Sequence, residues 1–210
     1  MSVQYTIPFK IQPDFSLAAL VVHEGISAAQ AALSEPQKWP AQILVLSGAA
    51  ASGKSHLAAN IGRAIFKWDL TERPILNRAD AEVLFHTINE VQAREEKLLI
   101  LSRVHPNQIY PALLDLDSRL KTAIHVPIVE PKTEDARIAI LFKMCADHQL
   151  KIDLDTARYI VRRLPQTLAA SRMLCELATL NHQKSTLSKV ASKPIIEHVQ
   201  KALGEGSNIF

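Results

Sequence analysis

Eight consecutive residues have the composition and spacing of a loop that binds phosphate: Gly48-Ala49-Ala50-Ala51-Ser52-Gly53-Lys54-Ser55. They match the pattern G-x-x-x-x-G-K-[ST], in which glycines let backbone N–H groups converge on phosphate oxygens. We expect Lys54 to reach the terminal phosphates and the Ser55 hydroxyl to hold magnesium. The predicted nucleotide-binding residues of the loop are Gly48, Ser52, Gly53, Lys54 and Ser55. The alternative is a turn of small residues between a strand and a helix that binds no ligand.

Hydrolysis at such a loop also requires an acidic residue at the end of a second strand, where it holds magnesium and positions water. The apolar runs Ile43–Leu46 and Leu98–Leu101 do not end in one. The remaining carboxylates are Asp80 and Glu82, which follow a candidate short strand at Pro74–Leu76. Both also precede a predicted helix, which favours their interpretation as a helix cap and a first-turn acid. The sequence therefore predicts negligible hydrolysis by this chain alone.

The elements that must position the loop alternate between strands and helices in the first part of the chain. Short apolar runs typical of strands buried on both faces occur at Ile43–Leu46, Leu98–Leu101 and Ala123–Ile128. Helical spacing occurs at His23–Ser34, Lys54–Trp68 and Asp80–Arg94. This alternation predicts an α/β fold with a parallel sheet flanked by helices.

After Pro131 the pattern changes, and only helices are predicted. They cover Thr133–His148, Asp153–Arg163, Leu168–Asn181 and Ser192–Leu203. We therefore divide the chain into an extended arm at 1–14, an α/β base at 15–131 and a small all-helical lid at 132–210.

Composition excludes several classes of protein. The chain has 210 residues, of which 48% are hydrophobic and 21% charged, as expected of a globular unit. No apolar run reaches the roughly 18 residues of a membrane-spanning helix. Two cysteines, Cys145 and Cys175, are too few for a disulfide framework. The net charge of +3 does not by itself favour nucleic-acid binding. We expect a cytoplasmic protein without a membrane segment.

Several segments share their motifs and their order with one known family. They are Trp39-Pro40, Gly53-Lys54-Ser55-His56-Leu57, Leu84-Phe85-His86-Thr87-Ile88-Asn89, Leu98–Arg103, Leu114-Asp115-Leu116-Asp117-Ser118-Arg119-Leu120, Glu130–Leu141 and Ala169-Ala170-Ser171-Arg172. Together they resemble the AAA+ domain of the bacterial replication initiator DnaA, and specifically its short relatives of the Hda (regulatory inactivator of DnaA) family. The resemblance covers about residues 4–203.

This resemblance implies a phosphate-loop AAA+-type fold that binds ADP or ATP with magnesium. In the matching positions, Arg119 is the arginine finger that acts in trans, and Arg172 is the lid arginine that contacts the nucleotide. The implied function is regulation of replication initiation by promoting hydrolysis of ATP bound to the initiator DnaA. Assembly into homo-oligomers is left open, and we expect no direct sequence-specific DNA binding. The interval Ser55–Val83 is short for this family, which predicts a truncated sheet whose acidic strand is missing or degenerate.

The first residues resemble the peptide by which Hda-type proteins dock on the replicative sliding clamp. In Gln4-Tyr5-Thr6-Ile7-Pro8-Phe9, the Gln4 amide would form hydrogen bonds, while Ile7 and Phe9 would enter an apolar pocket. Pro8 lowers the cost of ordering the arm. The alternative is an N-terminal strand that packs Ile7 and Phe9 on its own core.

Two other functions fit the same loop. One is a small kinase that uses Lys54 and Ser55 to phosphorylate a metabolite, which would require a carboxylate base and an arginine-rich lid. The other is a scaffold that retains the loop without hydrolysing nucleotide.

Overall fold

The computed structural model describes residues 14–62, 65–181 and 186–205. Its strands are β1 (Ile43–Gly48), β2 (Ile65–Asp69), β3 (Lys97–Ser102) and β4 (Ile124–Ile128). Its helices are α1 (Ser27–Ser34), α2 (Lys54–Ala59), α3 (Arg78–Ala93), α4 (Leu114–Lys121), α5 (Glu134–Asp147), α6 (Leu154–Val161), α7 (Leu168–Asn181) and α8 (Lys189–Glu205). In the described ranges no helix is long and apolar enough to cross a membrane.

The four strands form one parallel sheet in the order β2-β3-β1-β4. The central strands β1 and β3 are buried along nearly their whole length, which explains why each is a continuous apolar run. In a parallel sheet all carboxyl ends lie at one edge, and ligands of open α/β sheets bind there. The ends of β1, β2 and β3, at Gly48, Asp69 and Ser102, therefore share that edge.

Helices cover both faces of the sheet. On one face, α1 and α2 enclose a core that includes Leu44, Leu46 and Leu99. On the other, α3 and α4 pack over Val45 and Ile100. The predicted α/β class, a parallel sheet flanked by helices, is confirmed.

Helices α5 to α8 pack on one another around a separate apolar cluster, which contains Leu141, Ile160, Leu174 and Val199. We refer to these four helices as the lid. Helix α6 begins at an N-cap, because the Asp153 carboxylate accepts a hydrogen bond from the Thr156 N–H.

Two local predictions are wrong. The helix predicted over Lys54–Trp68 ends at Ala59, and Ile65–Asp69 forms strand β2 instead. The candidate strand at Pro74–Leu76 is a loop that leads into α3. The sheet therefore does contain a strand that ends in an acidic residue, contrary to the expectation that none does.

Candidate functional site

The loop between β1 and α2 has the backbone of a phosphate-binding turn. Gly53 has a φ of 93°, a left-handed conformation that favours glycine, and Ala51 also has a positive φ of 63°. A Cβ on Gly48 would lie 2.8 Å from the Ser52 hydroxyl and 3.0 Å from the Ile128 carbonyl oxygen. Gly53 is thus required by backbone geometry, and Gly48 by close packing.

Lys54 is the central charge of this loop. It is only 5% exposed, and its ammonium donates to the carbonyl oxygens of Gly48 and Ala49, both at 2.7 Å. A third bond goes to the Ser52 hydroxyl at 3.2 Å. The lysine therefore folds back on its own loop, where a phosphate oxygen would replace the carbonyl acceptors.

The electrostatic surroundings of Lys54 come from several elements. Burial lowers its pKa, and the neighbouring Arg103 lowers it further, while Asp69 and Glu130 act in the opposite direction. Lys54 carries no ion pair within the described residues. A buried cation without an ion pair, next to a second cation, favours the binding of an anion.

Asp69 ends β2 at the carboxyl edge of the sheet and interacts electrostatically with Lys54, although it does not line the cleft described below; the sequence analysis did not identify it. Its carboxylate accepts hydrogen bonds from the N–H and the hydroxyl of Thr71, at 2.8 and 2.6 Å. The two bonds fix the orientation of the carboxylate at the edge of the sheet. The available signal was Gly62, because a glycine just after an apolar periodic segment favours the end of a helix.

Asp80 and Glu82 are helix-terminus residues rather than members of the site. The Asp80 carboxylate accepts hydrogen bonds from the N–H groups of Leu76 and Asn77. In return, the Asn77 side-chain oxygen accepts a hydrogen bond from the Asp80 N–H. This reciprocal pair is the capping box of α3. Glu82 pairs with Arg78 at 2.8 Å on the helix surface.

A cleft of about 430 Å³ joins the loop to the lid. From the predicted nucleotide-binding set it brings together Ser52, Gly53, Lys54, Ser55 and Arg172. Gly48, the last residue of β1, does not line the cleft. The apolar part of the wall includes Leu20, Val21, Ile26, Ile140 and Leu168.

The lid presents charged side chains to this cleft, and each is paired. The Arg172 guanidinium donates to the Glu176 carboxylate at 2.8 Å, one turn further along α7. On α5, the Lys143 ammonium pairs with the Asp147 carboxylate at 2.5 Å and donates to the Asp14 carbonyl oxygen at 3.1 Å. These two pairs face the phosphate loop across the cleft.

Glu130 precedes the lid, bonds to the beginning of α7 and interacts electrostatically with Lys54. One carboxylate oxygen accepts a bond from the Leu168 N–H at the beginning of α7, at 3.0 Å, and the other is buried without a partner. Burial raises the pKa of this carboxyl, although the Leu168 bond and Lys54 oppose the rise. No pattern in the sequence indicated this role.

Of the remaining predicted residues only Arg119 is described, and it does not line the cleft. Arg119 is exposed on α4 and has no ion pair within the described residues. The nearby Asp117 carboxylate pairs with Lys121 at 2.7 Å. Gln4, Ile7 and Phe9 lie outside the described residues. Among the residues that are described, no group of three or more His, Cys, Asp or Glu side chains is arranged to hold a metal ion.

A comparison with models of known protein families finds no match. In sequence, the chain is 22% identical to the chromosomal replication initiator protein DnaA of Helicobacter pylori over 130 residues. That match covers 61% of this chain and 28% of the relative. The chain is thus similar to DnaA at low identity and spans little more than a quarter of its length.

Solved structures extend the comparison to the fold. Domain III of DnaA from Thermotoga maritima superposes with a TM-score of 0.67 at 16% identity, covering 90% of this chain and 98% of that domain. AMPPCP-bound DnaA from Aquifex aeolicus has a TM-score of 0.59 at 16% identity, covering 83% of this chain and 68% of the other. The fold of this chain is therefore that of DnaA domain III.

Proposed function

We propose that this chain binds ADP or ATP with magnesium in the cleft between the phosphate loop and the lid. The observation that carries the proposal is the buried ammonium of Lys54, which has only neutral acceptors on its own loop. Phosphate oxygens would replace those acceptors and add the counter-charge that the loop lacks. The AMPPCP-bound DnaA structures of the same fold support the choice of a nucleotide.

The residues present fit a magnesium ion bound through the nucleotide. The Ser55 hydroxyl and the Asp69 carboxylate supply oxygen donors, and magnesium prefers one or two such groups together with phosphate oxygens. When bound, the ion supplies charge neutralisation for the phosphates. Asp69 is kept in one orientation for this role by its bonds to Thr71.

Autonomous hydrolysis is proposed to be negligible. Strand β2 ends in a single acid, since Leu70 follows Asp69. Asp80 and Glu82 are engaged at the terminus of α3 and on its surface. Glu90 pairs with Arg94 at 3.9 Å near the end of α3, and Glu72, the one remaining carboxylate of the described β2–α3 segment, lies in the turn after the strand rather than at its end.

The proposed biological role is regulation of replication initiation, by promoting hydrolysis of ATP bound to DnaA, as in the Hda family. Arg119 would act in trans, reaching the γ-phosphate in the site of the initiator. Arg119 is exposed and has no ion pair in the part of the chain that the structure describes, which leaves the guanidinium available for bidentate contact with two phosphate oxygens. The similarity to DnaA supports this assignment.

The proposed organisation is an arm at 1–14, a base at 15–131 and a lid at 132–210. The arm would dock on the replicative sliding clamp through Gln4, Ile7 and Phe9. An extended peptide with an amide and two apolar anchors suits a preformed pocket.

The kinase alternative has less support. A second cavity of about 350 Å³ lies beside the phosphate end of the cleft, where an acceptor would bind. Its lining is Leu70, Thr71, Pro74, Ile75, Ser102, Arg103, Val104 and Ile109, which includes no carboxylate base.

The deciding experiment is single-turnover hydrolysis of ATP on DnaA, with clamp, DNA and either wild-type protein or the Arg119→Ala variant. Loss of an arginine finger in phosphoryl-transfer systems costs about 10³–10⁵ in rate. We expect the variant to fold, bind nucleotide and bind clamp, yet to lose most of the stimulation. The matched control is Arg158→Ala, which removes an exposed arginine of α6 that has no ion pair within the described residues.

Two results would contradict the proposal. If Arg119→Ala stimulates hydrolysis as well as wild type, Arg119 is an ordinary surface arginine. If deletion of residues 1–9 leaves clamp binding intact, the arm is not the docking element.

A further inference from the structure

The lid core contains the only two cysteines of the chain, and their side chains touch. Cys145 lies on α5 and Cys175 on α7, and their sulfur atoms are 3.7 Å apart. They are 1% and 0% exposed, within a cluster that is otherwise aliphatic. The two thiols of the chain, 30 residues apart in sequence, are thus in direct contact in the folded lid.

The pair also bridges the two lid helices that line the nucleotide cleft. Next to Cys145 on α5 is Met144, and next to Cys175 on α7 is Glu176, and both neighbours line the cleft. A covalent bond between the thiols would therefore tie together the two helices that carry the lid wall.

We propose that Cys145 and Cys175 form a reversible disulfide that tethers α5 to α7 and slows the release of nucleotide. The effect on nucleotide rests on the proposed binding function, whereas formation of the bond does not. The oxidant is a hydroperoxide or a low-molecular-weight disulfide, both of which are small enough to enter when the helices separate transiently.

The chemistry proceeds in two steps with hydrogen peroxide. The two thiols share a hydrogen bond that lowers the pKa of Cys145 against the raising effect of burial, and we take Cys145 as the attacking sulfur. Its thiolate attacks one peroxide oxygen, the O–O bond breaks, and the departing hydroxide takes up a proton to form water. Cys175 then attacks the sulfur of the resulting sulfenic acid. The S–O bond breaks, the S–S bond forms, and the second water leaves with the proton of Cys175. Two thiols are oxidised by two electrons and one peroxide is reduced.

Burial of the pair couples its oxidation to the state of the lid. Because both sulfurs are shielded from solvent, oxidant reaches them only when α5 and α7 separate. Nucleotide that binds between the loop and the lid opposes this separation. Bound nucleotide should therefore slow the access of oxidant to the pair.

The experiment uses the full chain, treated with hydrogen peroxide and then with an excess of dithiothreitol. After peroxide, we expect no accessible thiol in the unfolded protein, where reduced protein has two, and a mass loss of about 2 Da in the monomer. Dithiothreitol should reverse both changes fully. A fluorescent ADP analogue then measures release. We expect release to be at least about fivefold slower in the oxidised form, the low end of ordinary coupling between sites.

The controls are Cys145→Ala and Cys175→Ala, neither of which can form the internal bond. Peroxide should leave nucleotide release unchanged in both. Two free thiols after peroxide, or disulfides between chains only, would overturn the proposal, and so would an internal disulfide that leaves release unaffected. If reduced wild-type protein binds no nucleotide, the proposed function fails, while the thiol count still decides whether the disulfide forms.

Discussion

The phosphate end and the lid end of the cleft hold their cations in different ways. Lys54 is buried and bonded only to neutral oxygens of its own loop. Arg172 and Lys143 each pair with a carboxylate one turn along the same helix. The phosphate end therefore lacks a paired counter-charge until a ligand arrives, whereas the lid cations carry theirs with them.

This difference determines which contacts contribute to ligand affinity. A ligand that reaches Lys54 exchanges neutral acceptors for charged ones in a desolvated setting, where electrostatic interactions are strong. A ligand that reaches Arg172 must compete with Glu176, and the arginine is largely exposed to screening by water and salt. We thus expect the phosphate end to dominate binding.

The largest effect on nucleotide affinity is expected from Lys54→Ala. Loss of a hydrogen bond to a charged group costs about 1.5–3 kcal/mol, or roughly ten- to a hundredfold in nucleotide affinity. Arg172→Ala, the matched change at the lid end, should cost less than about fivefold, because exposed ion pairs contribute at most about 1 kcal/mol. Calorimetric titration of both variants with ADP and a non-hydrolysable ATP analogue measures the difference.

Equal losses of nucleotide affinity in the two variants would contradict this comparison, since they would show that the lid contributes as much to binding as the loop. Thermal melting of each variant provides the control, because Lys54 also holds the loop together through Gly48, Ala49 and Ser52.

The sequence predicted the interior of the sheet better than its edge. Strands β1 and β3 are buried on both faces and read as unbroken apolar runs. Strand β2 lies at the edge, where Phe66 and Lys67 are exposed, so its pattern is mixed and was assigned to the preceding helix. Because Asp69 ends this strand, the same misassignment hid the acidic residue of the site.

The site itself was predictable only where local sequence determines local backbone. Gly48 and Gly53 identify the loop, because a Cβ is not tolerated at Gly48 and Gly53 has a φ that favours glycine. Glu130 and Cys145 act through residues distant in the chain, Leu168 and Cys175, and no local pattern contains that information.

A second prediction separates the two acidic candidates of the phosphate end. We expect Asp69→Asn to raise the magnesium concentration needed for tight nucleotide binding by about tenfold, the low end of the cost of altering a group that supports a metal site. Asp80→Asn is the matched control and should leave the magnesium dependence unchanged, because its carboxylate only caps α3. Titration of nucleotide at a series of magnesium concentrations measures both.

If Asp80→Asn shifts the magnesium dependence and Asp69→Asn does not, the assignment of the acidic strand to β2 is incorrect. In that case the capping box would have to open when nucleotide binds.

The smallest effect is expected for stability and concerns Glu130, which bonds to Leu168 at the start of α7 and interacts electrostatically with Lys54. Burial raises the pKa of its carboxyl above the ordinary value of 4.5. A carboxyl with a higher pKa in the folded state than in the unfolded state binds its proton more tightly when folded. The free energy of unfolding therefore falls as pH rises from about 4.5 through the folded pKa. Carboxyls whose pKa is lowered by folding, such as Asp153, titrate below this window.

Glu130→Gln should remove this part of the pH dependence while keeping the bond to Leu168, because the glutamine carbonyl oxygen can accept the same N–H. Urea unfolding of both proteins between about pH 4.5 and 6.5 gives the difference in slope. Bound nucleotide should steepen the wild-type slope, since phosphate near Lys54 disfavours the ionised carboxylate and offsets the attraction of the lysine. Identical slopes in wild type and variant would show that folding does not raise the pKa of the Glu130 carboxyl, and would contradict its assignment as a buried carboxyl between the loop and the lid.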